Sequence, residues 1–212
     1  MQRRSLVAGI GAIAFGVLPI VAFMVANPPG GNYKASDIAD FIAKGHRPAV
    51  FVSVYLMLLS AVGLLVLLAR LRESIAAGSR ETLFWGFSVA AVAAWFVGYA
   101  IAISPSLALA FSGGKLHSLS APVAYTFSEA GWAAMYGAGG LLLGCALLTF
   151  AAGAVTLPAW IRWTTLVAGI AALAAVAWFP FFLVYIWAIV VGIALVAIEW
   201  RESARTVSTQ PA

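Results

Sequence analysis

Residues 164–198 read TTLVAGIAALAAVAWFPFFLVYIWAIVVGIALVAI, an apolar run without a charged side chain. As one helix rising about 1.5 Å per residue, this run would extend about 50 Å, whereas the hydrocarbon core of a bilayer is about 30 Å thick. The run is therefore expected to cross the membrane twice. Pro180 lacks a backbone N–H and predicts the position of the turn between the two crossings.

Four other apolar runs precede this hairpin, and each is long enough for one crossing. Together with the two arms of the hairpin, the expected spans are approximately 5–26, 49–69, 82–104, 128–153, 164–179 and 181–199. The first run is longer than the apolar segment of a secretory signal, so it is counted as a span. The sequence predicts an all-α, polytopic transmembrane helical bundle of about six spans, with residues 1–212 forming a single domain.

Composition excludes a water-soluble fold. Hydrophobic residues make up 64% of the chain and charged residues only 9%, whereas a soluble domain carries about 25% charged residues. The lipid bilayer is therefore the first expected partner. The formal net charge is +5, but the basic residues lie at the ends of apolar runs and form no stripe, so no nucleic-acid partner is expected.

The basic residues predict the orientation of the bundle, because lysine and arginine are retained on the cytoplasmic side. With both termini in the cytoplasm, the inner set is Arg3, Arg4, Arg70, Arg72, Arg80, Arg162, Arg201 and Arg205. The outer set is Lys34, Lys44, Arg47 and Lys115. Eight inner against four outer residues favours this N-in, C-in topology in the plasma (inner) membrane of a bacterium.

Two external segments join the first four spans. Between spans 1 and 2, the sequence from Ser36 to Gly45 predicts a short amphipathic helix, capped by the Ser36 side chain, on the outer surface. Residues 104–127 are interrupted by prolines and glycines, so they are expected to be re-entrant or to lie on the bundle. The capping-box spacing of Thr126 and Glu129 predicts that span 4 begins there.

Small residues recur every four positions in three places within the spans. The three sets are Ala8, Ala12 and Gly16; Ala133 and Gly137; and Gly140 and Gly144. Such patterns let helices approach closely, either within one bundle or between copies. They favour intramolecular packing but leave a membrane-protein partner or a homo-oligomer open.

Few side chains that carry chemistry lie at membrane depth. No predicted span contains histidine, lysine or aspartate, so no catalytic residue, cofactor or metal is expected there. The candidate ligand-binding residues are all predicted on the external side: Asp37, Asp40, His46, Lys115, His117 and Glu129. Hydroxyl groups within the spans could line a pocket or bond between helices: Tyr55, Tyr99, Tyr136, Tyr185, Ser60 and Ser88.

The external run Pro-Pro-Gly-Gly…Ser-Asp-Ile-Ala-Asp-Phe…Gly-His-Arg, between residues 28 and 47, together with the size and span pattern, resembles small uncharacterised bacterial membrane proteins of six spans. The resemblance covers the layout of the chain and implies no mechanism.

Three hypotheses for function remain from the sequence. The first is a non-enzymatic accessory or scaffold subunit, which a filled bundle with an exposed small-residue face would favour. The second is a binder or transporter of a lipid or small hydrophobic molecule, which an open apolar cavity reaching Glu129 and His117 would favour. The third is a membrane enzyme with an external-face site, which would require Asp37, Glu129 or His117 to converge.

Overall fold

A computed structural model describes residues 2–29, 34–43, 47–112, 119–154, 158–177 and 179–208. The helices are α1 (Gln2–Ala26), α2 (Ala35–Ala43), α3 (Arg47–Arg72), α4 (Ser79–Phe111), α5 (Ala121–Trp132), α6 (Gly140–Gly153), α7 (Ala159–Leu173) and α8 (Phe182–Ser208). A π-helix, Ala133–Gly139, joins α5 to α6 without a break. The described residues form an all-helical protein.

Among the described residues, six helical segments are long and apolar enough to cross a membrane, which agrees with the predicted number of about six spans. They are Ser5–Ala26, Pro48–Arg72, Ser79–Phe111, Ala121–Gly153, Ala159–Ala177 and Phe179–Trp200. The predicted hairpin is present, because short 3-10 turns at Ala174–Ala177 and Phe179–Phe181 separate α7 from α8 on either side of residue 178. The protein is an integral membrane protein.

The prediction for residues 104–127 is wrong at both of its ends. Helix α4 continues through Pro105 to Phe111, since a neighbouring helix and the apolar surroundings favour a continuous helix over an exposed backbone. Helix α5 already begins at Ala121, so the fourth span does not begin at Thr126. The Thr126 hydroxyl instead donates to the Pro122 carbonyl within α5, at 2.8 Å.

The short helix between spans 1 and 2 is present as α2, but its cap differs from the prediction. The backbone N–H of Lys34 donates to Asp37 Oδ2 at 2.7 Å, so the aspartate closes the first turn and Ser36 lies inside the helix. Ile38 is buried, as the apolar face requires, and α2 packs chiefly against α5. The predicted stop at Gly45 lies outside the described residues.

The six spans close into a ring. Helix α1 packs between α3 and α8, α4 packs between α3 and the continuous α5–α6 span, and α7 packs between α6 and α8. Arg70 Nε donates to Ser5 Oγ at 3.3 Å, and Arg162 donates to the Ala151 carbonyl, so the start of α1, the end of α3, the end of α6 and the start of α7 lie at one end. This end is called the basic end.

Close approaches at glycine hold neighbouring spans together. A Cβ added to Gly11 would lie 2.8 Å from the Gly63 carbonyl oxygen, so α1 and α3 cross backbone to backbone. A Cβ added to Gly131 would overlap the backbone of Ala102, where α5 crosses α4. In lipid, where apolar surface supplies no driving force between helices, such contacts supply the association energy.

Gly131→Val should therefore lower the free energy of unfolding by at least about 2 kcal/mol, because α4 and α5 would have to separate. Gly86→Val is the matched control: it puts the same residue at an exposed helix position where a Cβ meets no atom within 4 Å. Unfolding in mixed micelles measures both. Equal stability of the two variants would contradict the packing described here.

Candidate functional site

Three of the residues predicted from the sequence, Asp37, Asp40 and Glu129, lie at the end opposite the basic end. Asp37, Asp40 and Glu129 are described and exposed, and α2 packs against α5, the helix that carries Glu129. His46, Lys115 and His117 lie outside the described residues. Within the described part of the chain, no three His, Cys, Asp or Glu side chains are grouped so that they could hold a metal ion.

A cluster of aromatic rings fills the middle of the bundle. It is called the aromatic centre and consists of Phe15, Trp95, Tyr136, Phe181 and Tyr185, from four of the six spans. Trp95 contacts the other four rings, with centroid distances between 4.9 and 5.9 Å. The Phe181 ring stacks on the Trp95 indole, and the other three rings meet the indole edge to face. Both arrangements are favoured for aromatic pairs.

The cluster continues away from the basic end through Phe23, Tyr99 and Trp132. Here the tyrosine hydroxyl is paired: Tyr99 donates to Ser53 Oγ at 2.7 Å, and Ser53 Oγ donates to the Val50 carbonyl at 2.7 Å. A hydrogen-bonded path therefore runs from the aromatic cluster to the backbone of α3.

The aromatic centre itself contains unpaired polar groups. Trp95 Nε1 and the Tyr185 hydroxyl have no hydrogen-bond partner among the described residues, and their side chains are only 1% and 3% exposed. Elsewhere the same fold pairs a buried indole, since Trp187 Nε1 donates to Thr165 Oγ1 at 3.0 Å. A buried unpaired donor costs about 1–3 kcal/mol, so two such groups side by side require an explanation.

The π-helix supplies one wall of the aromatic centre. Its wider turn carries Tyr136 to the Trp95 ring, and Gly139 lies close to the backbone of Trp95. π-helical turns occur mostly as single insertions in α-helices and are frequent at functional sites. The coincidence of a π-helix with unpaired buried donors makes the aromatic centre the strongest candidate site at membrane depth.

The sequence indicated only part of this site. Tyr99, Tyr136 and Tyr185 were candidates as hydroxyls within spans, whereas Tyr55 is 67% exposed and faces away from the bundle. Trp95 was missed, because an indole within an apolar run carries no signal that distinguishes a buried ring from a lipid-facing one. The π-helix was also missed, since the Ala133–Gly139 segment has the composition of an ordinary packing helix.

No protein-family model matches the chain, and neither a curated protein nor a solved structure matches it. What the protein does has to be inferred from its own residues.

A pair of identical substitutions tests the polar pattern of the aromatic cluster. Tyr99→Phe should lower the free energy of unfolding by about 1 kcal/mol, because it removes the bond to Ser53. Tyr185→Phe should leave stability unchanged or raise it, because it removes a buried hydroxyl without a partner. Unfolding in mixed micelles measures both. A larger loss for Tyr185→Phe than for Tyr99→Phe would mean that the Tyr185 hydroxyl is bonded.

Proposed function

We propose that this protein is a non-enzymatic accessory or scaffold subunit of a bacterial plasma membrane, with both termini in the cytoplasm. The proposal rests on two features of the bundle: its interior is filled by side chains, and a set of small residues is exposed on its outside. The aromatic centre occupies the middle of the six-span ring, while one set of small residues on the outside of span 4 is exposed, and a Cβ added to its Gly137 would meet no atom of the described residues within 4 Å.

The proposed orientation is supported by the charges that the fold gathers at the basic end. Arg70, Arg72, Arg80 and Arg162 all belong to helix ends on this side of the bundle. Trp160 and Trp163, at the start of α7, are exposed where an indole would lie among the lipid headgroups. Both features are typical of the cytoplasmic side of a bacterial membrane protein. By the same orientation, α2 lies on the outer surface.

Cysteine labelling tests this orientation. In a Cys145→Ser background, Ala77→Cys should react with a membrane-impermeant maleimide only after the membrane is opened, because exposed Ala77 lies at the basic end. Ser36→Cys, exposed on α2, should react in intact cells. The reverse pattern would place the basic end outside and refute the proposed topology.

The three predicted small-residue sets have different fates in the fold. Ala8 and Ala12 are buried between α1 and its neighbours, and a Cβ on Gly140 would lie 2.5 Å from the Ala175 Cβ. These sets are used within the bundle. The set at Ala133 and Gly137 is not: Ala133 is exposed, and a Cβ added to Gly137 would lie more than 4 Å from every atom in the part of the chain that the structure describes.

The free face extends along span 4. Ala130, Ala133 and Ala138 are exposed, Gly137 is half-exposed between them, and this set is called the outer small-residue face. Small residues facing lipid permit another transmembrane helix to approach until backbones touch, which is the usual basis of helix association in membranes. A second membrane protein, or a second copy of this chain, would pack there.

Native mass spectrometry of the protein released gently from its own membrane tests the subunit proposal. A stoichiometric protein partner should be retained, and Gly137→Leu should abolish its retention because the larger side chain keeps the partner helix away. Gly86→Leu is the matched control, since Gly86 also faces open space but lies on another span. A partner that survives Gly137→Leu, or no partner at all, would argue against this face.

A second candidate function is favoured by the unpaired groups of the aromatic centre. Trp95 Nε1 and the Tyr185 hydroxyl could both donate to one acceptor atom of a small hydrophobic ligand bound between the helices. The same mass-spectrometric experiment separates the two functions. A single chain that retains one defined small molecule would favour this binder over the subunit.

A further inference from the structure

We propose that a groove between α6 and α7, at the basic end, binds one anionic phospholipid and that Arg162 holds its phosphate. The groove has a volume of about 310 Å³. Apart from the guanidinium, the lining side chains are apolar; the lining residues are Leu148, Ala151, Ala152, Ala159, Arg162, Trp163 and Leu166. This site is separate from the aromatic centre and from the outer small-residue face.

The groove follows from how α6 and α7 cross. A Cβ on Gly144 would lie 2.9 Å from the Gly169 carbonyl oxygen, so the two helices touch there. Toward the basic end the facing residues are leucines and then alanines, and the small alanine side chains leave the space between the helices open. A volume of this size is sufficient for part of an acyl chain, and its walls offer such a chain apolar contact.

Arg162 is positioned at this groove by the end of α6. Its Nε and Nη2 atoms both donate to the Ala151 carbonyl at 3.3 Å, and this carbonyl belongs to the last turn of α6, where intrahelical partners are missing. A guanidinium carries five N–H groups, so these two bonds leave three for another acceptor. The bonds to Ala151 orient the planar guanidinium, and because the residue is exposed, its remaining donors are accessible to a ligand.

Two of the four arginines whose side chains are described at this end have no ion-pair partner among the described carboxylates. Arg70 pairs with Glu73 and Arg72 pairs with Glu81, whereas neither Arg80 nor Arg162 has a carboxylate partner among the described residues. Arg80 lies beside Gly153, so both uncompensated cations flank the last turn of α6. A bound anion would neutralise the positive charge of these two arginines.

The chemistry of the groove selects a phospholipid with an anionic headgroup. A guanidinium binds phosphate oxygens in a bidentate manner, and the apolar walls next to it match an acyl chain attached to that phosphate. Trp163, 67% exposed beside Arg162, is suited to the headgroup level of a bilayer. A net negative headgroup is favoured because Arg80 adds a second positive charge nearby.

Titration in detergent with phosphatidylglycerol or phosphatidylcholine, read by native mass spectrometry, tests the proposal. The wild-type protein should bind one phosphatidylglycerol about tenfold more tightly than phosphatidylcholine. Arg162→Ala should remove that preference. Lys34→Ala removes an exposed positive charge at the opposite end and should leave it unchanged, which controls for the loss of net charge.

A second variant keeps the test valid if Arg162→Ala proves unstable through the loss of its bond to α6. Ala152→Leu keeps the guanidinium but fills the groove at an exposed alanine, so it should weaken phosphatidylglycerol binding several-fold. The proposal is overturned if the wild-type protein shows no preference between the two lipids. It is equally overturned if either variant that folds binds phosphatidylglycerol within twofold of the wild type.

Discussion

The packing of the Trp95 indole among rings from three other spans is the contact around which this bundle is organised. In water, burying such rings would itself drive association, but in a bilayer the lipid chains are as apolar as the side chains. What remains is dispersion, which depends on close fit, and a large ring with four aromatic neighbours provides more of it than any aliphatic side chain. Where neighbouring spans cross at glycine, their backbones approach closely enough for the aromatic side chains in the middle of the bundle to meet.

The close packing of these rings leaves buried polar groups without hydrogen-bond partners at the middle of the bundle. Trp95 Nε1 and the Tyr185 hydroxyl are buried among aromatic rings and have no hydrogen-bond partner at bonding geometry among the described residues, while Tyr99, one turn further along α4, donates to Ser53. The difference is one of neighbours rather than residue type, since both tyrosines are deeply buried. Stability alone would favour phenylalanine at position 185, and for this reason the aromatic centre stands as a candidate site as well as a core.

Hydropathy, proline and capping signals in the sequence predicted which helices are present better than they predicted where those helices begin and end. The hairpin at Pro180 and the helix at Ala35–Ala43 were found where the sequence indicated them. Pro105 and the Thr126–Glu129 spacing misled, because both are signals calibrated on helices in water. At membrane depth an interrupted helix leaves backbone groups without partners, so α4 and α5 continue past these signals. The Ser36 cap failed because Asp37 can make the same closure from within the first turn.

The sequence by itself determined that this is a membrane protein, how many times it crosses, and where most of its cationic side chains lie along the chain. Those properties depend on hydropathy summed over about 20 residues, which needs no knowledge of neighbours. Only the tertiary structure decided which small-residue set is left outside, which polar groups lose their partners, and that Arg162 lies at a groove without a carboxylate. A helix that is apolar on every side has no pattern that says which face meets protein and which meets lipid, so these properties are settled by shape complementarity between residues far apart in the chain.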